Sequence, residues 1–255
     1  TGLDGGLGTV AADLFFWKLW LATRFVAPGC AAVCCDANHP LPFAREAFSM
    51  VVLADAFPYI WHKRLLAAEM VRVTTPDGVV VMPHLHSALG ENFTAGDTLT
   101  PAGYDGLFEP LQPRLFSDAR LLDDVLERGV VDLAADLSPE RLGTQPSCSL
   151  VVTRERPAGH PVFRLRAIAT VTAQREALTV NPLYRVERSG GRSVLTLTFP
   201  TPEYEEEFAE CRRYLPDTIT LDADLTGPIT PTMLGADGET LRRRRIILDA
   251  PLRYC

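Results

Sequence analysis

Carboxylates that could bind a polar ligand follow two short apolar runs in the first quarter of the chain. Asp36 comes directly after residues 31–35, and Asp55 comes just after residues 48–53. Short apolar runs bounded by turn residues are typical of buried strands in a parallel sheet. Ligands bind beyond the carboxyl ends of such strands, so the two acids predict a binding crevice. The alternative is that each carboxylate only caps the turn or helix that follows it.

A glycine-rich turn at residues 1–9 contains Asp4, Gly6 and Gly8. We expect it to lead into a helix over residues 10–26. Glycine lets a backbone approach a ligand closely, and free amides at the start of a helix attract negative charge. Because many loops are rich in glycine, the turn is weak support for a ligand site when taken alone.

Three histidines, His62, His84 and His86, could act as a base, because imidazole exchanges protons near neutral pH. His84 and His86 are two residues apart and share one face of an extended backbone. No nearby cysteine or carboxylate completes a ligand set in the sequence, so we expect no metal and interpret the pair as surface or loop histidines. We expect His62 to cap or flank the helix that follows it.

The pattern of apolar residues predicts alternating strands and helices, which is typical of an α/β protein with a parallel sheet. Trp17 and Trp20 lie within the first predicted helix, and we expect them to pack in the core. The predicted elements in order are a helix at 10–26, strands at 31–35 and 48–53, a helix at 62–73, a tight turn at 76–78 and a strand at 79–82. Residues 83–113 have no strong period and read as a functional lid or mobile segment. A helix capped by Ser117 and two closing strands at 130–133 and 148–152 then follow.

A change of composition at residues 154–161 indicates a linker. We therefore predict two domains, at residues 1–154 and 160–255, the second a small α+β domain. Its clearest features are a hairpin around Gly190-Gly191 and a helix that begins at Thr201-Pro202. Three roles for this second domain stay open: covering the active site, forming a homodimer or binding a partner.

The composition excludes several classes of function. The chain has 255 residues, is 47% hydrophobic and carries a net charge of −7, which argues against binding nucleic acid or an anionic membrane. No apolar run approaches the roughly 18 residues of a membrane span. Six cysteines in a chain of this length are typical of ordinary thiols in a reducing compartment, so we predict a cytoplasmic protein. Because the chain begins with Thr1, we expect that something upstream has been removed or left out.

Taken together, several motifs resemble the class I S-adenosylmethionine-dependent methyltransferases over roughly residues 1–154. The most specific part of the resemblance runs from Asp36 to Gly78. Asp4-Gly5-Gly6-Leu7-Gly8 resembles the family's Asp-x-Gly-x-Gly turn, and Asp36-Ala37 with Leu41-Pro42-Phe43 resembles the loop around the adenosine. Residues 48–52 resemble the family's fourth strand, and Glu69 to Gly78 resembles the passage into its fifth strand.

The resemblance implies a Rossmann-like sheet that is mostly parallel but shortened, and S-adenosylmethionine as the cofactor. By the same resemblance, the predicted cofactor contacts are Asp4, Gly6, Gly8, Asp36, Ala37, Phe43 and Asp55. His62 and Asp55 are the predicted catalytic residues, and no metal is expected. The implied reaction is methyl transfer to a small-molecule acceptor, in bacterial metabolism.

The sequence also departs from the family pattern. Val10 replaces the third glycine of the turn, and Ser49 stands where the fourth strand normally starts with Asp. Only one helix and one strand separate Asp4 from the adenosine loop, where the family has two strand–helix units. The domain is therefore either degenerate or lacking upstream residues. A methyltransferase-like binding or scaffold protein without catalysis is the main alternative, and an enzyme that binds another nucleotide through the same turn is a weaker one.

Overall fold

The computed structural model describes residues 8–91, 96–111, 113–154, 162–164 and 176–251. The described residues form two compact units. The first contains the described residues up to Asp124 and those from Val130 to Arg164, and the second contains Val125–Gly129 and the described residues after position 165. The predicted linker falls mostly outside the described residues, so the domain boundary stays a prediction.

The first unit alternates strands and helices along most of its length. Its strands are β1 Val10–Asp13, β2 Ala31–Cys34, β3 Phe48–Val52, β4 Thr74–His86, β5 Arg114–Ser117, β6 Val130–Asp132, β7 Ser147–Thr153 and β8 Val162–Arg164. Its α-helices are α1 Phe16–Leu21, α2 Lys63–Val73, α3 Pro101–Asp105, α4 Asp118–Asp123 and α5 Pro139–Leu142. A π-helical turn, Ala22–Val26, extends α1, and the 3-10 turns are Phe57–Tyr59 and Gly106–Phe108.

The main sheet has the strand order β3-β4-β7-β5. β3 and β4 are parallel, whereas β7 runs antiparallel to both β4 and β5. β1 and β2 form a separate parallel pair, and β6 pairs with β8 in an antiparallel ribbon. Helices and a mixed sheet with parallel neighbours confirm the predicted α/β class.

Helix α2 covers the main sheet because its apolar residues recur at helical spacing. Leu66, Met70 and Val73 are each no more than 2% exposed. Leu66 and Met70 contribute to a core that also includes Met82 and Leu150, which are fully buried. Burying each large apolar side chain stabilises the fold by about 1.5–3 kcal/mol.

The first predicted helix is wrong at its start. Val10–Asp13 is a strand that pairs in parallel with Ala31–Cys34, and the helix begins only at Phe16. The composition of the apolar run at residues 10–12 is compatible with a helix or a strand, and the run is a strand because it pairs with β2. The expected core position of Trp17 and Trp20 is also wrong: they are 58% and 50% exposed, and Leu19 is the buried side chain of α1.

The predicted tight turn at residues 76–78 is wrong as well, because β4 runs through it. Phe48 pairs with Thr74 and Met50 with Val79, so the residues between Thr74 and Val79 bulge out of the ladder. Gly78 is needed there, since a Cβ atom would lie 2.8 Å from the Ser49 carbonyl oxygen.

Residues 83–113 are also more ordered than expected where the structure describes them. β4 continues to His86, and α3 starts at Pro101 with Thr100 as its cap. Of the two predicted closing strands, β7 lies in the main sheet, whereas β6 pairs with β8 in the separate ribbon. β5, which is not predicted from the sequence, completes the sheet because it pairs with β7 across a distance in sequence.

The second unit is built from antiparallel strands and short helices. Its strands are β9 Glu176–Val180, β10 Tyr184–Ser189, β11 Arg192–Leu197, β12 Thr218–Leu221 and β13 Ile247–Pro251, and its helices are α6 Pro202–Phe208 and α7 Gly238–Arg243. The π-helical segment Asp124–Arg128 follows α4 in the chain and belongs to this unit from Val125 onward, and 3-10 segments occupy Ala209–Arg213 and Pro231–Asp237. β10, β11 and β12 form one sheet, and β9 pairs with β13.

The hairpin and the start of the helix predicted for the second unit are confirmed. Gly190 and Gly191 have φ angles of 58° and 84°, which two-residue hairpin turns of this kind require. The Thr201 hydroxyl accepts a hydrogen bond from the Tyr204 amide at 3.1 Å and so caps α6. Leu195 is fully buried in the core of this unit.

Candidate functional site

The carboxyl ends of β1 and β2 bring two aspartates to one edge of the small parallel sheet. Asp13 is the last residue of β1 and is in register with Cys34, the last residue of β2. Asp36 follows two residues later. Because parallel strands end on the same side, both carboxylates lie at the edge where α/β sheets bind ligands.

Asp36 is held in a tight local turn. Its Oδ1 accepts hydrogen bonds from the Asn38 amide at 2.8 Å and from the Asn38 side chain at 3.0 Å. Its Oδ2 lies 3.3 Å from His39 Nδ1. The bonds from Asn38, and to a lesser degree His39, lower the pKa of Asp36, so the carboxylate is ionised. Asp36 therefore does stabilise a turn, as the alternative interpretation predicted. These bonds do not use all the acceptor positions of its carboxylate.

Asn38 connects this turn to the start of α2, and sequence reasoning did not single it out. Its side-chain oxygen accepts hydrogen bonds from the backbone amides of Trp61 at 2.7 Å and His62 at 3.2 Å. The structure thus ties predicted cofactor residue Asp36 to the backbone of predicted catalytic residue His62. The signal in the sequence was the Asp-x-Asn spacing, which is typical of turns stabilised by side chains.

Asp13 is the second residue that sequence reasoning missed, because residues 10–26 were expected to be one helix. Its Oδ1 accepts the Phe15 amide at 2.8 Å and so stabilises the turn that precedes α1. This bond uses one of the two carboxylate oxygens. The side chain belongs to a partly exposed residue and remains accessible from solvent.

The loop predicted to bind adenosine is clamped by an ion pair on α2. Arg72 donates to both oxygens of Glu69 at 2.7 Å, and it also donates to the carbonyls of Phe43 at 2.8 Å and Leu41 at 3.0 Å. Glu69 Oε2 accepts the Leu41 amide at 2.7 Å. The bonds from Arg72 outweigh burial and lower the pKa of Glu69. The Glu-x-x-Arg motif therefore fixes the backbone of residues 41–43.

The side chains of this loop face partly inward. The Phe43 ring packs edge-to-face on Phe48, with ring centres 5.1 Å apart. Ala37 is partly buried against the main core. Gly8 is exposed, and a Cβ atom added there would meet nothing within 4 Å, so packing does not require glycine at that position. Asp4 and Gly6 lie outside the described residues.

His62 opens onto a cleft of about 470 Å³ at the start of α2. The lining residues are Trp61 and His62 before the helix, Lys63 to Leu65 in its first turn, and Leu99, Gly103 and Leu107. Among the described residues that line it, neither Asp36 nor Asp55 is present, so the two predicted catalytic residues do not share this cleft.

Asp55 instead faces two histidines at the carboxyl ends of β3 and β4. Its Oδ1 lies 3.4 Å from His86 Nε2, and the rings of His84 and His86 are in edge-to-face contact at 4.8 Å. His84 Nδ1 also lies 3.2 Å from Asp118 Oδ2. Partial burial, aided by His84, lowers the pKa of His86 despite the opposing effect of Asp55.

Comparison with known proteins finds a family match within the first unit. The family model described as "Methyltransferase domain" matches residues 12–82, a segment from the end of β1 into β4. This match confirms the predicted resemblance to the class I S-adenosylmethionine-dependent methyltransferases for that segment. The matched segment contains Asp13, Asp36, Asp55, His62 and the Glu69–Arg72 pair. No curated protein matches the chain's sequence.

Solved structures similar to this chain include several methyltransferases. A SAM-dependent methyltransferase from Aquifex aeolicus has 10% sequence identity and a TM-score of 0.40, covering 57% of this chain and 68% of that one. The Haloferax volcanii complex between the Trm112 methyltransferase activator and the putative methyltransferase has 16% identity and a TM-score of 0.44, with coverage of 62% and 77%. A TehB-like SAM-dependent methyltransferase from Corynebacterium glutamicum has 14% identity and a TM-score of 0.39, with coverage of 60% and 71%.

In the described ranges, no helix combines the length and the apolar character that crossing a membrane requires.

Proposed function

We propose that the first unit binds S-adenosylmethionine at the carboxyl ends of β1 and β2 and transfers its methyl group to a small molecule. One observation carries the proposal: Asp13 and Asp36 stand at the ends of adjacent parallel strands inside the segment that matches the methyltransferase domain. An acid at such a strand end suits a ribose, because one carboxylate can accept hydrogen bonds from neighbouring hydroxyl groups.

The residues present fit the adenosyl part of this cofactor. Asp13 would accept hydrogen bonds from the ribose hydroxyls, since only one of its oxygens accepts the Phe15 amide. Asp36 and Ala37, with the clamped loop that carries Phe43, would flank the base. Gly8, with Asp4 and Gly6, is proposed for the methionine part. The cofactor supplies an electrophilic methyl group, and the protein's task is to orient it and exclude water.

The cleft beside His62 supports a small acceptor. Its volume of about 470 Å³ falls within the roughly 300–1,000 Å³ of small-molecule sites. An acceptor held there could lose a proton to the His62 imidazole as it is methylated. Asp55, which follows β3, is proposed to act close to the methyl donor.

Titration calorimetry on the full chain tests cofactor binding directly. We expect micromolar binding of S-adenosylmethionine and of S-adenosylhomocysteine. Asp13→Asn and Asp36→Asn should each weaken binding about tenfold or more, because a hydrogen bond to a charged group contributes about 1.5–3 kcal/mol. Asp77→Asn, at an exposed carboxylate in the β4 bulge, is the control and should bind normally.

The alternative of a methyltransferase-like scaffold has its own support. Asp13 and Asp36 both stabilise local turns, and Gly8 has open space beside it rather than a close neighbour. A folded full-length sample that binds neither S-adenosylmethionine nor S-adenosylhomocysteine would favour the scaffold. Competition by nicotinamide dinucleotides, with none by S-adenosylhomocysteine, would instead favour an enzyme that uses another nucleotide.

Catalysis is tested separately from binding. With a panel of small acceptors, release of S-adenosylhomocysteine measures turnover. His62→Ala should lower turnover while leaving cofactor affinity within about twofold, since His62 is placed at the acceptor and exposed groups contribute little to distant binding. Equal turnover of His62→Ala and the natural chain on every active acceptor would remove His62 from the mechanism.

The remaining features of the proposal concern the protein's setting. Five cysteines in the described residues are free thiols, which supports the proposed reducing, cytoplasmic compartment. A bacterial source and dimerisation through the second unit stay predictions. Light scattering at several concentrations would decide the oligomeric state.

A further inference from the structure

Asp55, His84 and His86 come together although they are far apart in sequence. Asp55 follows β3, and the two histidines end β4, which is parallel to β3. One donor atom from each residue can be chosen so that all three lie within 4.8 Å of one another. The fold thus brings Asp55 next to the histidine pair as a third possible ligand, which the sequence alone did not reveal.

The donor set suits a divalent transition metal. Two imidazole nitrogens and one carboxylate oxygen are ligands that zinc and similar ions accept, typically at about 2.0–2.2 Å. Two ligands at that distance lie no more than about 4.4 Å apart, so small side-chain rotations would close the site. Asp55 and His84 are more than half exposed, and their side chains have room to rotate.

The surroundings of the cluster resemble those of metal ligands. Asp118 lies 3.2 Å from His84 Nδ1, and Ser149 donates to the other Asp118 oxygen at 2.6 Å. A carboxylate bound to one ring nitrogen of a histidine fixes the orientation of the ring, so that the other nitrogen can face a metal ion, as in metal-binding histidines. Asp118 is itself fixed at the start of α4, directly after the strand that pairs with β7.

The backbone at the cluster is strained in two places. Asp55 and His84 have φ angles of 51° and 55°, in the left-handed region that residues with a side chain rarely adopt. Such conformations are concentrated at ligand and active sites. Both strained residues are members of the same three-residue cluster.

We propose that Asp55, His84 and His86 bind one divalent transition-metal ion, for which zinc is the probe. Three protein ligands leave at least one coordination position for water or for an oxygen or nitrogen atom of a small molecule. The site is assigned from its own geometry and does not depend on binding of S-adenosylmethionine.

Zinc titration of the metal-free, full-length chain without an affinity tag tests the proposal. We expect one zinc ion per chain with micromolar or tighter affinity. Asp55→Asn and His86→Gln should each weaken binding at least tenfold. Asn tolerates a positive φ well, so Asp55→Asn keeps the fold while removing the charged ligand. Circular dichroism before titration confirms that each variant is folded.

The matched control is His39→Ala. His39 also pairs with a carboxylate, that of Asp36, but has no second imidazole beside it. This variant should bind zinc like the natural chain. Absence of zinc binding, or loss of binding in His39→Ala equal to that in His86→Gln, would overturn the proposal. Because cofactor affinity is measured separately, failure of either proposal leaves the other open to its own test.

Discussion

Replacing Arg72 by alanine should loosen the loop at residues 41–43 and destabilise the first unit. Arg72 makes four hydrogen bonds: two to the Glu69 carboxylate and one each to the carbonyls of Leu41 and Phe43. The variant also leaves Glu69, whose side chain is 11% exposed, without its counter-charge.

The size of the effect follows from burial. Removing one partner of a fully buried ion pair costs about 3–5 kcal/mol, whereas an exposed pair is worth about 0–1 kcal/mol. The Arg72 side chain is 27% exposed and Glu69 less so. We therefore expect a loss of about 2–4 kcal/mol, between these limits and nearer the buried one.

Hydrogen exchange measured by mass spectrometry on peptides covering residues 38–46 reads out the loop itself. A loss of about 2–4 kcal/mol corresponds to exchange faster by roughly 1.5 to 3 powers of ten. Urea unfolding followed by circular dichroism gives the global change. Combining Arg72→Ala with Glu69→Gln should cost less than the sum of the two changes, because the second variant removes the stranded charge.

Arg64→Ala provides the matched control, since Arg64 is exposed on the same helix. It should change stability by less than about 0.5 kcal/mol. If exchange at residues 38–46 is the same in Arg72→Ala and in the natural chain, the loop does not depend on the clamp and the reasoning fails. The same holds if Arg64→Ala has an equal effect.

Four further predictions concern single groups. The pKa of Glu69 in the folded protein is lowered below its ordinary value of 4.5. The ionised carboxylate therefore stabilises the fold fully above pH 4.5, and this stabilisation is lost as the pH falls through the lower, folded-state pKa. The difference in unfolding free energy between the natural chain and Glu69→Gln, measured by urea unfolding, should shrink only below pH 4.5. Ser193→Ala should cost about 1–3 kcal/mol, because the buried Leu225 amide loses its acceptor at 2.8 Å, and exchange of the Leu225 amide should accelerate. Gly191→Ala should cost about 1–2 kcal/mol in thermal unfolding, given its φ of 84°. Gly78→Ala should cost about 1–3 kcal/mol by the same measurement, because its Cβ would crowd the neighbouring strand; unchanged melting in either glycine variant would contradict the structure.

Local signals in the sequence predicted the features that depend on neighbouring residues. The Thr201 cap, the Gly190-Gly191 hairpin and the apolar face of α2 are each specified within a few positions, and all three are confirmed. The match over residues 12–82 also agrees with the motif resemblance. The cofactor and catalytic residues named from that resemblance stay predictions.

Features decided by pairing across the chain could not be predicted in the same way. The stretch that starts at Val10 has the composition of a helix or a strand, and only its partner β2 selects the strand. Because this stretch was predicted to be helical, Asp13 was not recognised as the last residue of a strand. Likewise, Asp55 meets His86 only because β3 and β4 are parallel neighbours, which the spacing of the residues in sequence does not reveal.

The placement of the indole rings gives the protein a natural optical label. All three tryptophans of the chain, Trp17, Trp20 and Trp61, belong to the first unit. Selectively excited tryptophan emission therefore reports on the unit that contains residues 12–82, which match the methyltransferase family model, whereas the second unit has no tryptophan. Quenching by a ligand can then be assigned to one half without any dye or engineered probe.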